Sequence, residues 1–343
     1  MRKVFTILLG IFLVAILITG CSGRLRDRYN ENHPPVGDNS NTPPVPSDNT
    51  APTVAGRDVS GTLQVGSQSR EYLLHIPKGY SSSKKFPLVV VLHGGSQDNT
   101  DIEKITGFSE LADQEGILVV YPQGMEQNWD DGRGTTDASK AGADDISFIR
   151  NLVSELEGAY SVDASRVYAT GTSNGGIMTH RLGCELSDVF VAIAPVIGSP
   201  AANIVDTCNP PTPVSVMVIQ GTADPFIDIN GGEVKHKRFP MLGDGGIVVS
   251  ADEGRRLWAK NDGCTGSPTT EELPILVDDG TSVEKIAYTD CKANTEVVYY
   301  IVSGMGHTYP PKTPEKAGNI VGTASKNIDA TKEIWKFFKS HSR

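Results

Sequence analysis

Three runs of consecutive apolar, largely β-branched residues constrain the fold of this chain more than anything else in it. They are Pro87-Leu-Val-Val-Val-Leu92, Ile117-Leu-Val-Val-Tyr121 and Val214-Ser-Val-Met-Val-Ile219. None sustains the apolar–polar alternation of a strand with one wet face. Each therefore reads as a strand covered on both faces, the situation of a parallel sheet. Parallel strands need crossover connections, and helical patterns lie between and beyond the runs. Ile146, Ile149, Val153 and Leu156 share one helical face after Asp144-Asp145, and Ser250-Ala-Asp-Glu253 has the form of a capping box opening a helix through Leu257 and Trp258. Arg70–Pro77 reads as an early strand, Glu296–Val302 as the last strand, and Ile328, Ile334, Trp335 and Phe338 as an amphipathic C-terminal helix. The pattern predicts an α/β chain with a doubly wound, mostly parallel sheet and helices on both faces.

Within that frame, Val167-Tyr-Ala-Thr-Gly-Thr-Ser-Asn-Gly-Gly176 is a β-prone run that breaks into Gly-x-Ser-x-Gly, and a helix-compatible segment, Ile177–Leu186, follows at once. A serine on such a strand–turn–helix junction is a candidate nucleophile, and the helix N-terminus beneath it offers free N–H groups where an oxyanion would form. The candidate is Ser173. An activated serine needs a base and an orienting carboxylate, which in α/β-hydrolases follow in the order Ser, acid, His, each on a loop after a strand. Asp224, in Gln220-Gly-Thr-Ala-Asp-Pro225, lies just past the Val214–Ile219 run, and Asp228 is its rival. His307, in Ser303-Gly-Met-Gly-His-Thr308, lies just past the last strand. The other histidines lack this context: His33 and His341 are terminal, His75 and His93 precede the serine, His180 is on the following helix, and His236 precedes the remaining strands. The backbone amide of Asn174 should supply one oxyanion donor. The other should come from Leu92-His-Gly-Gly-Ser96, with Gly95 the expected residue and Ser96 the alternative.

Ahead of this domain, Met1-Arg-Lys3 and the apolar run Val4–Thr19 read as an export signal. Leu17-Ile-Thr-Gly-Cys21 resembles the bacterial lipobox, so Cys21 is the expected lipidation site and residues 1–21 the leader. Residues 22–56, rich in Pro, Asn and Ser from Asn30 onward, read as a solvated tether, leaving 57–343 as the folded domain. A formal net charge of −10 argues against a nucleic-acid partner.

Five stretches in order carry a family resemblance: Leu92-His-Gly-Gly95, Thr170-Gly-Thr-Ser-Asn-Gly-Gly176, Gly221-Thr-Ala-Asp-Pro225, Trp258-Ala-x-x-x-Gly-Cys264 and Gly304-x-Gly-His-Thr308. Together they resemble carbohydrate esterase family 1, the group of feruloyl esterases, acetyl xylan esterases and proteins labelled polyhydroxybutyrate depolymerases. The resemblance spans about Leu63 to Tyr309. It implies ester hydrolysis by a Ser-Asp-His triad with no metal or organic cofactor. Its substrate would be an ester-bearing polysaccharide or a small ester, feruloyl or acetyl esters of plant polysaccharide first, polyhydroxyalkanoate or other short-chain esters second. A catalytically inactive, glycan-binding surface lipoprotein is the reading from a different class. Two departures stand out: Tyr309 replaces a tryptophan common in relatives, and Gly95 stands where depolymerases often carry cysteine. Trp129, Trp258 and Tyr309 are the expected aromatic wall for a phenolic ring or sugar, with ordinary packing an equal reading for Trp258, and Trp335 belongs to the core. With Cys21 set aside, four cysteines remain in an exported chain and allow three connectivities. Chain proximity and the family pattern favour Cys184–Cys208 and Cys264–Cys291. Asp130-Asp131 and Asp278-Asp279 read as turns rather than calcium sites.

Overall fold

The computed structural model describes residues 56–312 and 318–343; the expected leader, Cys21 and the tether up to residue 55 lie outside the described residues. The strands are β1 (Arg57–Val65), β2 (Gln68–Ile76), β3 (Phe86–Leu92), β4 (Leu118–Pro122), β5 (Val162–Thr172), β6 (Ala192–Val196), β7 (Ser215–Gly221), a short pair β8 (Gly232–Glu233) and β9 (Ile247–Val248), then β10 (Thr269–Glu272), β11 (Ser282–Tyr288) and β12 (Val297–Ser303). Ten of them form one sheet in the order β1-β2-β4-β3-β5-β6-β7-β12-β11-β10. The pairings from β4 to β12 are parallel, and both ends of the sheet are antiparallel.

The longer helices are α1 (Asn99–Thr106), α2 (Phe108–Glu115), α3 (Asp145–Ala159), α4 (Asn174–Glu185), α5 (Ala251–Asn261) and α6 (Ala330–Phe338). Their distribution explains the unbroken apolar runs. Along β3 every residue is buried, and successive side chains enter opposite cores. Leu88, Val90 and Leu92 join Phe148, Ile149 and Leu152 of α3 and Met178 and Leu182 of α4. Val89 and Val91 join Ile102 of α1, Phe108 of α2 and Phe338 of α6. The sheet is thus filled on both faces. The capping box read at Ser250 is present, with Glu253 reaching back to the Ser250 amide at 2.9 Å. An unanticipated second one, Asp98 with Asp101, opens α1.

Glu296–Val302 is the last strand of the chain, as expected, and two strands the sequence did not announce, β11 and β10, continue the sheet beyond it in a meander. They escape the apolar pattern because β10 is exposed throughout and β11 only half-buried. β6 escapes it because its sequence, Ala-Ile-Ala-Pro-Val, is short and small. Disulfides join Cys184 to Cys208 and Cys264 to Cys291. They span 24 and 27 residues, and constraints of that size contribute about 2–4 kcal/mol each.

Asp262, at the end of α5, is fully buried, and its Oδ1 accepts the Val214 amide at 3.0 Å, which fixes the entry to β7. Burial raises its carboxyl from the ordinary value of 3.8 to about 7, against the lowering effect of that amide. The fold therefore favours the neutral acid. The resulting stabilisation is fully present below an ordinary carboxylate pKa and is lost as pH rises to about 7. Asp262→Asn, which cannot ionise, should gain in Tm relative to the parent between pH 5 and pH 8. Thermal melts of both proteins across that range test this; a Tm difference independent of pH would rule out a raised carboxyl.

Candidate active site

β5 ends at Thr172 and α4 begins at Asn174, so Ser173 alone makes the turn, with φ 55° and ψ −120°. A non-glycine residue held there stores about 1–3 kcal/mol of strain. The surrounding glycines show what holds it. A Cβ at Gly175 would lie 2.6 Å from the Leu92 carbonyl oxygen and closer still to that of His93. One at Gly171 would lie 2.6 Å from the Gly175 oxygen, and one at Gly176 would lie 2.7 Å from that of Val196. The start of α4 is therefore pressed against the ends of β3 and β6, where no side chain fits. The Ser173 amide donates to Val196 O at 3.0 Å and locks the turn from below.

The loops after β7 and β12 are sewn together beside this turn. Thr222 N–H donates to Val302 O and Ala223 N–H to Met305 O, both at 3.0 Å, and Gly304 N–H reaches Thr222 Oγ1 at 3.0 Å. His307 N–H in turn donates to Val321 O at 2.6 Å. This stitching brings three side chains into line. Ser173 Oγ lies 2.8 Å from His307 Nε2, and His307 Nδ1 lies 2.7 Å from Asp224 Oδ2. Asp224 is fully buried, and its other oxygen accepts the amides of Phe226 (2.7 Å) and Ile227 (2.9 Å). That bonding assigns the His307 proton to Nδ1 and leaves Nε2 as the acceptor for the serine hydroxyl. The rival, Asp228, is held by Lys237 at 2.8 Å and by the Asn230 amide at 2.9 Å, and these contacts keep its carboxyl below the usual range.

On the other side of Ser173, the amides of Gly95 and Asn174 donate to no acceptor among the described residues. Ser96 N–H, by contrast, is engaged by Gln127 O at 2.9 Å. A network invisible to motif reading fixes both amides. The Asn174 side chain accepts the Trp129 amide at 2.7 Å and donates to Asp131 at 2.6 Å. Asp131 also pairs with Arg133 at 2.8 Å, both side chains fully buried. His93 bridges Gly94 O (2.8 Å) and Gly124 N–H (2.9 Å), so it is a neutral ring with its proton on Nδ1. Burial lowers its pKa to about 4, consistent with that role.

The aromatic wall requires correction. Trp129 is fully buried, and its indole N–H donates to His93 O at 2.9 Å, making it a brace for the oxyanion loop. Trp258 is fully buried, with its N–H on His180 Nδ1 at 3.0 Å. Tyr309 is buried, with its hydroxyl 2.8 Å from Thr331 Oγ1. Each polar tip has an internal partner, and none of the three rings forms an open wall. The ring that adjoins His307 is instead Phe226, at 5.0 Å between centroids, followed outward by His236 at 4.8 Å and the exposed Phe239 at 5.0 Å. The one available signal for Phe226 was its place two residues after Asp224.

The paired acidic residues singled out in the sequence are held as turn residues. Asp130 pairs with Arg181 at 2.9 Å, and Asp279 accepts the Thr281 amide at 3.0 Å, as turn residues do. Asp58, His75 and Glu103 are the group of ligand-type side chains that converge among the described residues. The two nitrogens of His75 are already bonded, however, to Asp58 at 2.7 Å and Asp113 at 3.2 Å.

Residues 70–241 match the family described as Esterase PHB depolymerase. The chain belongs to that family. It is 30% identical over 270 residues to NocK, named as an esterase in Nocardia uniformis subsp. tsuyamanensis, with 77% of each chain covered. It is 32% identical over 247 residues to feruloyl esterase B of Piromyces equi, spanning 69% of this chain and 42% of that protein. An acetyl xylan esterase from Aspergillus awamori shares its fold, with a TM-score of 0.53, 16% identity, and coverage of 82% of this chain and 99% of the other. The fold is that of the α/β-hydrolases, and the family's members are serine ester hydrolases, this chain among them.

Gly175→Ala tests the close approach at the elbow. Its Cβ meets backbone oxygens that cannot rotate away, so esterase activity should fall by about 10²-fold or more, the scale of an ångström's misplacement. Tm should fall with it. A variant with parental rate and Tm would show that the elbow tolerates a side chain.

Proposed function

We propose that this chain hydrolyses carboxylic esters on plant cell-wall polysaccharide, feruloyl or acetyl, with Ser173 as nucleophile, His307 as base and acid, and Asp224 as its orienting carboxylate. The observation that carries this reading is the continuous hydrogen-bonded line Ser173–His307–Asp224 on a strained turn above a helix N-terminus. His307 Nε2 takes the serine proton as Oγ bonds to the ester carbonyl carbon. The carbonyl electron pair moves onto oxygen, which the amides of Gly95 and Asn174 and the dipole of α4 stabilise. Collapse of this intermediate breaks the bond to the alcohol, which leaves with the proton from His307. Water then repeats the sequence on the acyl-enzyme and releases the acid. Asp224 holds the imidazole in the tautomer this requires and stabilises the imidazolium that forms.

The names of the relatives, feruloyl esterase B and a bifunctional acetylxylan esterase/xylanase of Neocallimastix patriciarum, support the choice of acyl group. The family description supports a second reading, hydrolysis of hydroxyalkanoate or other short-chain esters. Two disulfides fit an oxidising compartment outside the cytoplasm. We place the domain there at the end of a tether anchored through lipidated Cys21, so Cys21→Ser should move it from the membrane fraction to the soluble exported fraction. Retention on membranes after verified signal cleavage would remove the anchor from this reading.

Ser173→Ala should abolish turnover. Asp224→Asn should lower kcat by roughly 10⁴, by analogy with the serine-protease aspartate, while leaving the fold intact. Asp228→Asn, outside the hydrogen-bonded line, should lower it far less. Rates on methyl ferulate, acetylated xylan, p-nitrophenyl acetate and hydroxybutyrate oligomers measure these effects and rank the acyl groups together. A larger loss at Asp228 than at Asp224, with both variants folded, would reassign the acid. Undiminished rates in Ser173→Ala would replace catalysis with glycan binding.

A further inference from the structure

The excursion between β8 and β9 turns back over the oxyanion loop. Its turn, Gly243-Asp-Gly-Gly246, runs through three glycines with positive φ and is tied down at both ends. Val234 N–H donates to Gly246 O at 2.9 Å, and Gly245 N–H to Val234 O at 3.0 Å. Arg133 Nη1 donates to Gly245 O at 2.6 Å, which joins the turn to the network that fixes Asn174. The only side chain the turn carries is that of Asp244, and it comes to rest against Gly95. A Cβ at Gly95 would lie 3.2 Å from Asp244 Oδ2, 3.2 Å from Asn128 Oδ1 and 3.8 Å from the Asn174 Cβ.

Two acceptors therefore converge on one face of Gly95. Asn128 Oδ1 is buried and has no hydrogen-bond partner among the described residues. Its orientation is fixed, because Nδ2 donates to Glu126 O at 2.9 Å and a flipped amide would set two oxygens against each other. Asp244 meets its nearest cation, Arg133, at 3.6 Å, and Arg133 is already committed to Asp131 at 2.8 Å. The Asp244 side chain remains one-third exposed (33%), open to a group arriving from solvent. A carboxylate beside an oxyanion hole opposes the charge that develops there, so by itself it disfavours every substrate. A donor carried by the substrate would offset that repulsion and supply the missing partner.

We infer that Asp244 is a specificity-determining residue, whose carboxylate, with Asn128 Oδ1 behind it, receives a hydroxyl lying a few bonds from the scissile carbonyl. The inference rests on the hydrolase reading of Ser173 and Gly95. It deepens that reading by naming a substrate feature. The phenolic hydroxyl of a ferulate is at the far end of its acyl chain and is not this donor. The hydroxyl belongs either to a short hydroxyacyl group or to the carbon adjacent to the one that bears the ester oxygen on the alcohol, as on a partly acylated sugar.

Two pairs of near-isosteric esters separate these sources: methyl 3-hydroxybutyrate against methyl butyrate, and 2-hydroxyethyl acetate against propyl acetate. In one pair the parent should favour the hydroxylated ester by about tenfold in kcat/KM, the scale of one hydrogen bond to a partly exposed carboxylate. Asp244→Ala should bring that ratio to about one, and Asp244→Asn, which keeps an acceptor without the charge, should fall between. The pair that responds names the source. Each ratio is measured within one preparation, so it does not depend on the fraction of a variant that folds. Equal rates within both pairs, or a preference that survives Asp244→Ala, would overturn the inference while leaving a Ser173-dependent esterase in place. No turnover of any of the four esters by a parent that still hydrolyses methyl ferulate would overturn the inference alone, whereas turnover undiminished in Ser173→Ala would bring down the hydrolase reading and this inference with it.

Discussion

The contact on which the site depends is between backbone atoms alone: the first turn of α4 against the ends of β3 and β6. Because residues 171, 175 and 176 have no side chains, the helix N-terminus sits directly on the carbonyls of Leu92, His93 and Val196. That distance sets three things together. It forces Ser173 into a positive φ that raises its hydroxyl above the sheet. It brings the Asn174 amide into the same space as Gly95, and it points the positive end of the α4 dipole there. No one of these could be adjusted without the others, since the parts in contact are too stiff to yield.

Rigid contact at the nucleophile demands equal rigidity in the groups around it, and the protein achieves this with buried polar groups that are paired internally. Asp131 and Arg133 are fully buried as an ion pair, a costly arrangement unless the remaining valences are also satisfied. Here they are, by Asn174 and by Gly245 O. His93 and His180 are buried as neutral rings, their pKa values pushed down to about 4 and about 3 by burial. A neutral histidine presents one donor and one acceptor in fixed directions, which suits His93 between a carbonyl and an amide. Protonation would direct its new N–H at the Gly124 amide, so acidification acts on the oxyanion loop.

Much of this was legible in the sequence, and the division is physical. Asp224 could be read because it follows a strand whose burial on both faces leaves an apolar run, Ser173 because Gly-x-Ser-x-Gly breaks a β-prone run just before a helix, and His307 because it follows the last strand. Ser250 could be read as a cap because its partner, Glu253, is three residues away. The role of Trp129 could not be assigned. Trp129 sits in a loop beside the site, and only its partners, His93 O and the Asn174 side chain, show that it braces the loop from inside. Those partners are 36 and 45 residues distant, and no local pattern encodes them. For the same reason β10 and β11 were missed: they are held by pairing with β12 rather than by apolar content.

This separation has a consequence for how chemistry and selectivity are distributed over the fold. Ser173, His307 and Asp224 follow β5, β12 and β7, which are adjacent to one another or to β6 in the parallel core and so are fixed by its packing. Asp244 and Phe239 come from a turn-rich excursion carrying only the two-residue strands β8 and β9, where Met241 is 90% exposed. Hydrogen bonds to Arg133 and from His236 to Ile320 O hold that excursion against the site, and Val234 and Val248 anchor its ends in a small apolar cluster with Ile177 and Ile227. Substitutions there change which groups line the entrance at little expense to stability, whereas substitutions at the strand ends disturb the core. The triad is consequently the part of the site that a sequence motif can specify. The groups that choose among esters lie where the chain has the least regular structure and the weakest pattern.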